Sequence, residues 1–161
     1  MRLEYLHRDK VILIHAPNGV TDIGAYCDVR TIANGRRRVD QVVYAMTGNP
    51  NEKIPYMPQL FPAGEHRVFW PQERSSKYLR PIYIPTNAKQ LCRVWALDAA
   101  GNYAMEGAGQ VMDHGYGIHY SEIETTWGCI RVDSVNGINI IADYVENALY
   151  DKEEVYINAR Y

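Results

Sequence analysis

Backbone breakers recur along the front of this chain at intervals too short for long helices. Pro17-Asn18-Gly19, Asn34-Gly35, Gly48-Asn49-Pro50 and Pro62-Ala63-Gly64 punctuate it. Each supplies a residue that cannot donate to a ladder or that readily takes a positive φ. Between them lie strand-length runs rich in β-branched and aromatic residues: Lys10–His15, Gly24–Ile32, Val39–Thr47, Glu65–Trp70 and Leu91–Asp98. Residues 71–90 hold Pro71, Pro81 and Pro85. They read as a long surface segment of the kind that can close over a groove. Ala99-Ala100-Gly101-Asn102 reads as a hairpin turn into Tyr103.

One segment has a different period. Ser134 is a plausible N-cap, and Val135, Ile138, Ile141, Ala142, Val145 and Leu149 follow at helical spacing. Gly137 weakens the first turn modestly. Glu154–Asn158 then reads as a closing strand. No repeat, low-complexity tract or composition shift divides the 161 residues, so residues 1–161 are expected to form a single domain, mainly β with one substantial helix.

Composition narrows the function classes. The formal net charge is −2, and the one basic cluster, Arg36-Arg37-Arg38, follows a turn signal and reads as a solvated turn. A dedicated nucleic-acid binder is not expected. Val11-Ile12-Leu13-Ile14 is too short to span a membrane, and Met1–Arg8 has no apolar core of signal-peptide length. The chain therefore reads as soluble, without a visible leader. Thirteen Tyr stand against two Phe, a balance that suits sheet surfaces and the walls of polar-ligand grooves equally.

Three cysteines, Cys27, Cys92 and Cys129, are widely spaced and contain no Cys-x-x-Cys pair. Neither a zinc ribbon nor a dithiol motif is supported, and an odd count leaves at least one free thiol. Cys92 alternates as a core strand residue and Cys27 has no base near it in sequence. Cys129 differs. It lies in Thr126-Trp127-Gly128-Cys129-Ile130-Arg131-Val132, shortly after Gly117-Ile118-His119-Tyr120. Gly128 permits a tight bend that presents the sulfur, and backbone N–H groups around such a bend can stabilise a developing oxyanion. A thiol needs a basic or cationic partner to react near neutral pH. His119, at the end of a short strand candidate, could be brought beside Cys129 by a strand, a turn and a return segment. His114, in Asp113-His114-Gly115, is the competing base. A metal site from His114, His119 and Asp113 fits no strong ligand spacing.

These residues resemble the L,D-transpeptidase catalytic domain of bacterial cell-wall enzymes. That family's signature is a Gly-Ile-His segment, a variable loop and Ser/Thr-His-Gly-Cys-hydrophobic-Arg, matched here by Gly117-Ile118-His119 and by Thr126-Trp127-Gly128-Cys129-Ile130-Arg131. Thr47-Gly48 with Pro62-Ala63-Gly64-Glu65, and the terminal Val155-Tyr156-Ile157, extend the likeness over about residues 39 to 158. The resemblance implies a β-sandwich or barrel and a cysteine-dependent acyl transferase acting on peptidoglycan stem peptides. Cys129 would be the nucleophile and His119 its base. Arg131 would hold the site or a substrate carboxylate. Thr126, Trp127, Tyr120 and His114 would line the substrate. Neither metal nor organic cofactor is implied, and the site of action would be the periplasm or cell wall. Two departures stand out: Trp127 replaces the motif's second His, and Tyr120 replaces the Gly that usually follows the first. An L,D-carboxypeptidase or anti-bacterial effector hydrolase on the same scaffold, and a non-catalytic wall-binding or phage module, are the alternatives.

Overall fold

A computed structural model describes residues 1–27, 42–44, 53–55, 59–73, 82–97, 103–121 and 128–161. In chain order it contains β1 (Arg2–Leu6), β2 (Val11–Ala16), β3 (Gly19–Tyr26), β4 (Val42–Tyr44), β5 (Lys53–Pro55), β6 (Gly64–Val68), β7 (Gln72–Glu73), β8 (Ile82–Pro85), β9 (Gln90–Leu97), β10 (Tyr103–Asp113), β11 (Gly117–Tyr120), β12 (Ile130–Val132), α1 (Val135–Tyr150) and β13 (Val155–Arg160). Among the described residues the protein is mainly β with one helix.

Nine strands form one sheet in the order β6-β13-β1-β2-β3-β12-β11-β8-β7, and β9–β10 and β4–β5 make separate two-stranded ribbons. Two neighbouring pairs are parallel, β1 with β13 and β11 with β12. The sheet curls so far that β6 reaches β8 from the other end. Val68 and Thr86 form an antiparallel bridge, and Phe69 N–H donates to the Pro85 carbonyl at 2.9 Å. Curling of this kind lets one face enclose a core while the other stays open to solvent.

The enclosed face carries Leu3, Ile12, Ile14, Ile84, Ile118, Ile130 and Ile157, all fully buried. The helix α1 lies on it, touching β8, β11, β12 and β13. It forms as its periodicity predicts. The Ser134 hydroxyl accepts from Gly137 N–H at 2.9 Å, and Ile138, Ile141, Ala142 and Val145 face the core. Each large buried aliphatic contributes about 1.5–3 kcal/mol, which outweighs the ~1 kcal/mol that Gly137 costs in helix propensity. Ala148 is buried and Leu149 only partly so, so the stripe drifts by one residue at its end.

Arg2–Leu6, for which no element was expected, is an interior strand of the sheet, its Leu3 and Tyr5 buried while its charged residues alternate with them. Several expectations are corrected. The strand after Pro17-Asn18 begins at Gly19, earlier than Gly24, because Gly19 (φ 140°) completes a two-residue turn and then starts pairing with Ala16. The stretch expected as surface, 71–90, instead supplies β7, β8 and the first residue of β9, and Ile84 is fully buried in the core. Pro85 ends β8 opposite Gly117. The expected turn at Ala99–Asn102, the Arg36–Arg38 cluster and Thr47-Gly48 lie outside the described residues.

Candidate active site

Ile118 and Ile130 pair across β11 and β12 and both point into the core. Strand alternation therefore puts Gly117, His119, Cys129 and Arg131 on the opposite face. Cys129 precedes Ile130, so it falls level with Gly117, which has no side chain. His119 stands diagonally from Cys129, on the same face. The two strands run parallel, not as the out-and-back pair expected from sequence, and Glu122–Trp127 in their connection lies outside the described residues.

His119 belongs to a row that crosses four strands. Tyr26 pairs with Arg131, Arg131 with His119, and His119 with Tyr83. The Tyr83 ring fills the space over Gly117, where a Cβ would collide with it. Its hydroxyl donates to the Gly115 carbonyl at 2.8 Å, and the Cys129 thiol donates to the same carbonyl at 3.6 Å. The tyrosine and the cysteine are thus fixed to one backbone point.

The imidazole has a defined tautomer. His119 Nδ1 lies 3.0 Å from the Tyr120 carbonyl, which can only accept, so Nδ1 carries the proton and Nε2 of the neutral ring is left as the acceptor. The ring of Tyr120 itself packs toward the core. Its contribution here is a carbonyl, where sequence reasoning had given it substrate contact. His114 is exposed on the connection between β10 and β11. The structure brings His119 to the face of Cys129 and leaves His114 outside that row.

Arg131 is 8% exposed. Its Nε donates to the Ser121 carbonyl and one terminal nitrogen to the Tyr26 hydroxyl, and the guanidinium carbon sits 4.7 Å from the Tyr26 ring centroid. These contacts tie the end of β11 to β3 across β12. No carboxylate pairs with Arg131 among the described residues.

Gly128 is enclosed, with φ 114°. A Cβ there would strike the Gln59 carbonyl and the Tyr116 ring. The Gly128 carbonyl accepts from the Cys27 thiol at 3.2 Å. Cys27 and Cys92 are buried, whereas Cys129 is half-exposed. Burial pushes the Cys92 thiol above its ordinary range, offset in part by a hydrogen bond with Tyr116 and reinforced by the charge of Asp113. Of the three thiols, Cys129 is the one that solvent reaches.

Sequence reasoning singles out Cys129, Gly128, His119 and Arg131 because they lie in two short motifs, and the structure places those motifs at and just before neighbouring strands. It missed Tyr26, Tyr83, Gly115 and Ser121, which enter only through strand pairing; the alternation of Tyr83 with Ile82 and Ile84 was the available signal. Thr126 and Trp127 lie outside the described residues. Among the described residues no group of three His, Cys, Asp or Glu is placed to hold a metal ion, and no helix is long and apolar enough to cross a membrane. A hollow of about 530 Å³ between Pro17 and the C-terminal end of α1 includes none of these groups. No protein-family model, curated protein or solved structure matches the chain.

Proposed function

We propose that the chain is a cysteine-dependent acyl transferase of the L,D-transpeptidase type, acting on peptidoglycan stem peptides. The observation that carries the reading is the placement of Cys129 and His119 on one face of two neighbouring parallel strands, with His119 Nδ1 turned to the Tyr120 carbonyl and the Tyr83 ring seated over Gly117 beside them. The motif resemblance supplies the substrate class.

In this reading Nε2 of His119 takes the Cys129 proton, and the thiolate attacks the carbonyl preceding a D-amino acid. A C–S bond forms, and the oxyanion is met by backbone N–H groups at the Gly128 bend. The C–N bond then breaks as the imidazolium returns its proton to the leaving amine. An acceptor amine or water attacks the thioester in the second half. Arg131 keeps β11 and β3 in register around the pair.

The test is to incubate wild type and Cys129→Ala with tetrapeptide muropeptides, with and without an acceptor amine, while following products and protein mass. Cys129-dependent release of the terminal D-residue with new amides identifies a transpeptidase. Trimmed tripeptide alone identifies a carboxypeptidase. If no product forms and Cys129 alkylates no faster than Cys27 or Cys92, the catalytic reading is wrong and a wall-binding module takes its place.

A further inference from the structure

Cys27 lies 2% exposed just after β3, and its N–H and its sulfur each have defined partners. Its N–H donates to the Tyr5 hydroxyl at 2.8 Å. Its sulfur accepts the Phe61 N–H at 3.3 Å and donates to the Gly128 carbonyl at 3.2 Å. A thiol is a weak donor and a weak acceptor, so a core position that needed only volume would be served by Ala or Val. Here the sulfur joins two loop segments, around Phe61 and Gly128, that share no strand pairing.

The carbonyl of Gly128 belongs to the same peptide unit as the N–H of Cys129. That unit is planar and trans, so its C=O and N–H point in opposite directions. A carbonyl held toward buried Cys27 turns the Cys129 N–H away from it.

We propose that Cys27 is a positioning residue. Its thiol fixes the Gly128–Cys129 peptide plane, and so aims the Cys129 N–H at the oxygen of an acyl group under attack by Cys129. The proposal rests on Cys129 being the nucleophile and does not depend on peptidoglycan being the substrate. Sulfur lies further from its Cβ than a hydroxyl oxygen would, so Ser at 27 keeps a donor but shortens its reach, and Ala removes it.

Two reagents separate the role from general packing. Iodoacetamide alkylates a thiolate by displacing iodide and develops no oxyanion. A p-nitrophenyl ester of an N-acyl dipeptide acylates it through a tetrahedral oxyanion and releases p-nitrophenolate. Both second-order rates at Cys129 would be measured by mass on wild type, Cys27→Ser, Cys27→Ala and Tyr5→Phe, in samples whose circular dichroism shows them folded. The expected result is a fall in acylation of about tenfold or more for Cys27→Ala, a smaller fall for Cys27→Ser, and alkylation within about twofold of wild type. Parallel falls in both rates, or no change in either, overturn the proposal. A wild-type Cys129 that alkylates but acylates no faster than a solvent-exposed peptide thiol overturns it too, together with the catalytic reading. Failure of wild type to process muropeptides while the ester discrimination holds removes the peptidoglycan assignment alone. If neither Cys27 variant folds, Tyr5→Phe decides: loss of the hydroxyl that accepts the Cys27 N–H must lower acylation selectively, and unchanged acylation there overturns the assignment.

Discussion

Gly128 concentrates two demands in one residue: a φ that side chains disfavour, and a cage in which the Gln59 carbonyl and Tyr116 ring already occupy the place of a Cβ. Strained φ costs about 1–3 kcal/mol and overpacking a similar amount. Gly128→Ala is therefore expected to lose about 3 kcal/mol or more of unfolding free energy in urea titration, together with its Cys129 reactivity. Arg131→Lys should keep the charge but lose the two-point hold on Ser121 and Tyr26; a drop in melting temperature of several degrees is the expected readout. Burial also raises Cys92, Tyr116 and Tyr161 above the ordinary values of 9.0 for a thiol and 10.0 for a phenol. The native state then holds these protons more tightly than the unfolded chain. Their contribution is whole below about pH 9 and drains as pH rises through 9 and 10. Reduced protein should accordingly show a urea midpoint that falls from pH 8 to pH 11, and a flat midpoint would contradict the burial of these groups. The separations explain which residues sequence alone could reveal. Cys129 and His119 sit ten positions apart in adjoining motifs, whereas Cys27 reaches Gly128 across 101 positions and Arg131 reaches Tyr26 across 105. Nothing local marks such partners.

The helix α1 was legible because its period, its cap and its apolar stripe agree. The strands were less so, and the misses have distinct causes. Arg2-Leu3-Glu4-Tyr5-Leu6 alternates correctly, but Glu4 hides the pattern until its partners His15 and Arg160, both at 3.0 Å, are seen. Ile82–Pro85 was obscured by flanking prolines that suggest a loop, although Pro85 is tolerated where the strand ends. The pairing of β11 with β12 as parallel neighbours could not be read at all, since a short connection ordinarily implies a hairpin. Gly137 offers the sharpest test at this scale. By propensity, Gly137→Ala should stabilise the helix by up to ~1 kcal/mol. A Cβ there, however, lies 2.8 Å from Ser134 Oγ, 2.9 Å from Ile23 Cγ2 and 3.0 Å from Val132 Cγ1. Packing is expected to win, with a net loss of about 1–2 kcal/mol in thermal or urea unfolding. Ser134→Ala should cost about 1 kcal/mol through the lost cap.

At the scale of the molecule, the last strand is an interior one. β13 lies between β6 and β1, paired with each along its length, and Val155, Ile157 and Ala159 are buried. Removing residues 155–161 takes an interior strand from the sheet and leaves β6 with no neighbour on that side, and the expected product lacks a cooperative unfolding transition by circular dichroism. The same arrangement has a mechanical side. β1 and β13 run parallel, Arg2 level with Tyr156 and Leu6 with Arg160. A pull on the chain through its two ends would drag these neighbours in opposite directions along their shared axis. The bonds between them would be loaded together in shear and could not peel apart one by one. Stretched from its ends, the protein should yield late and abruptly.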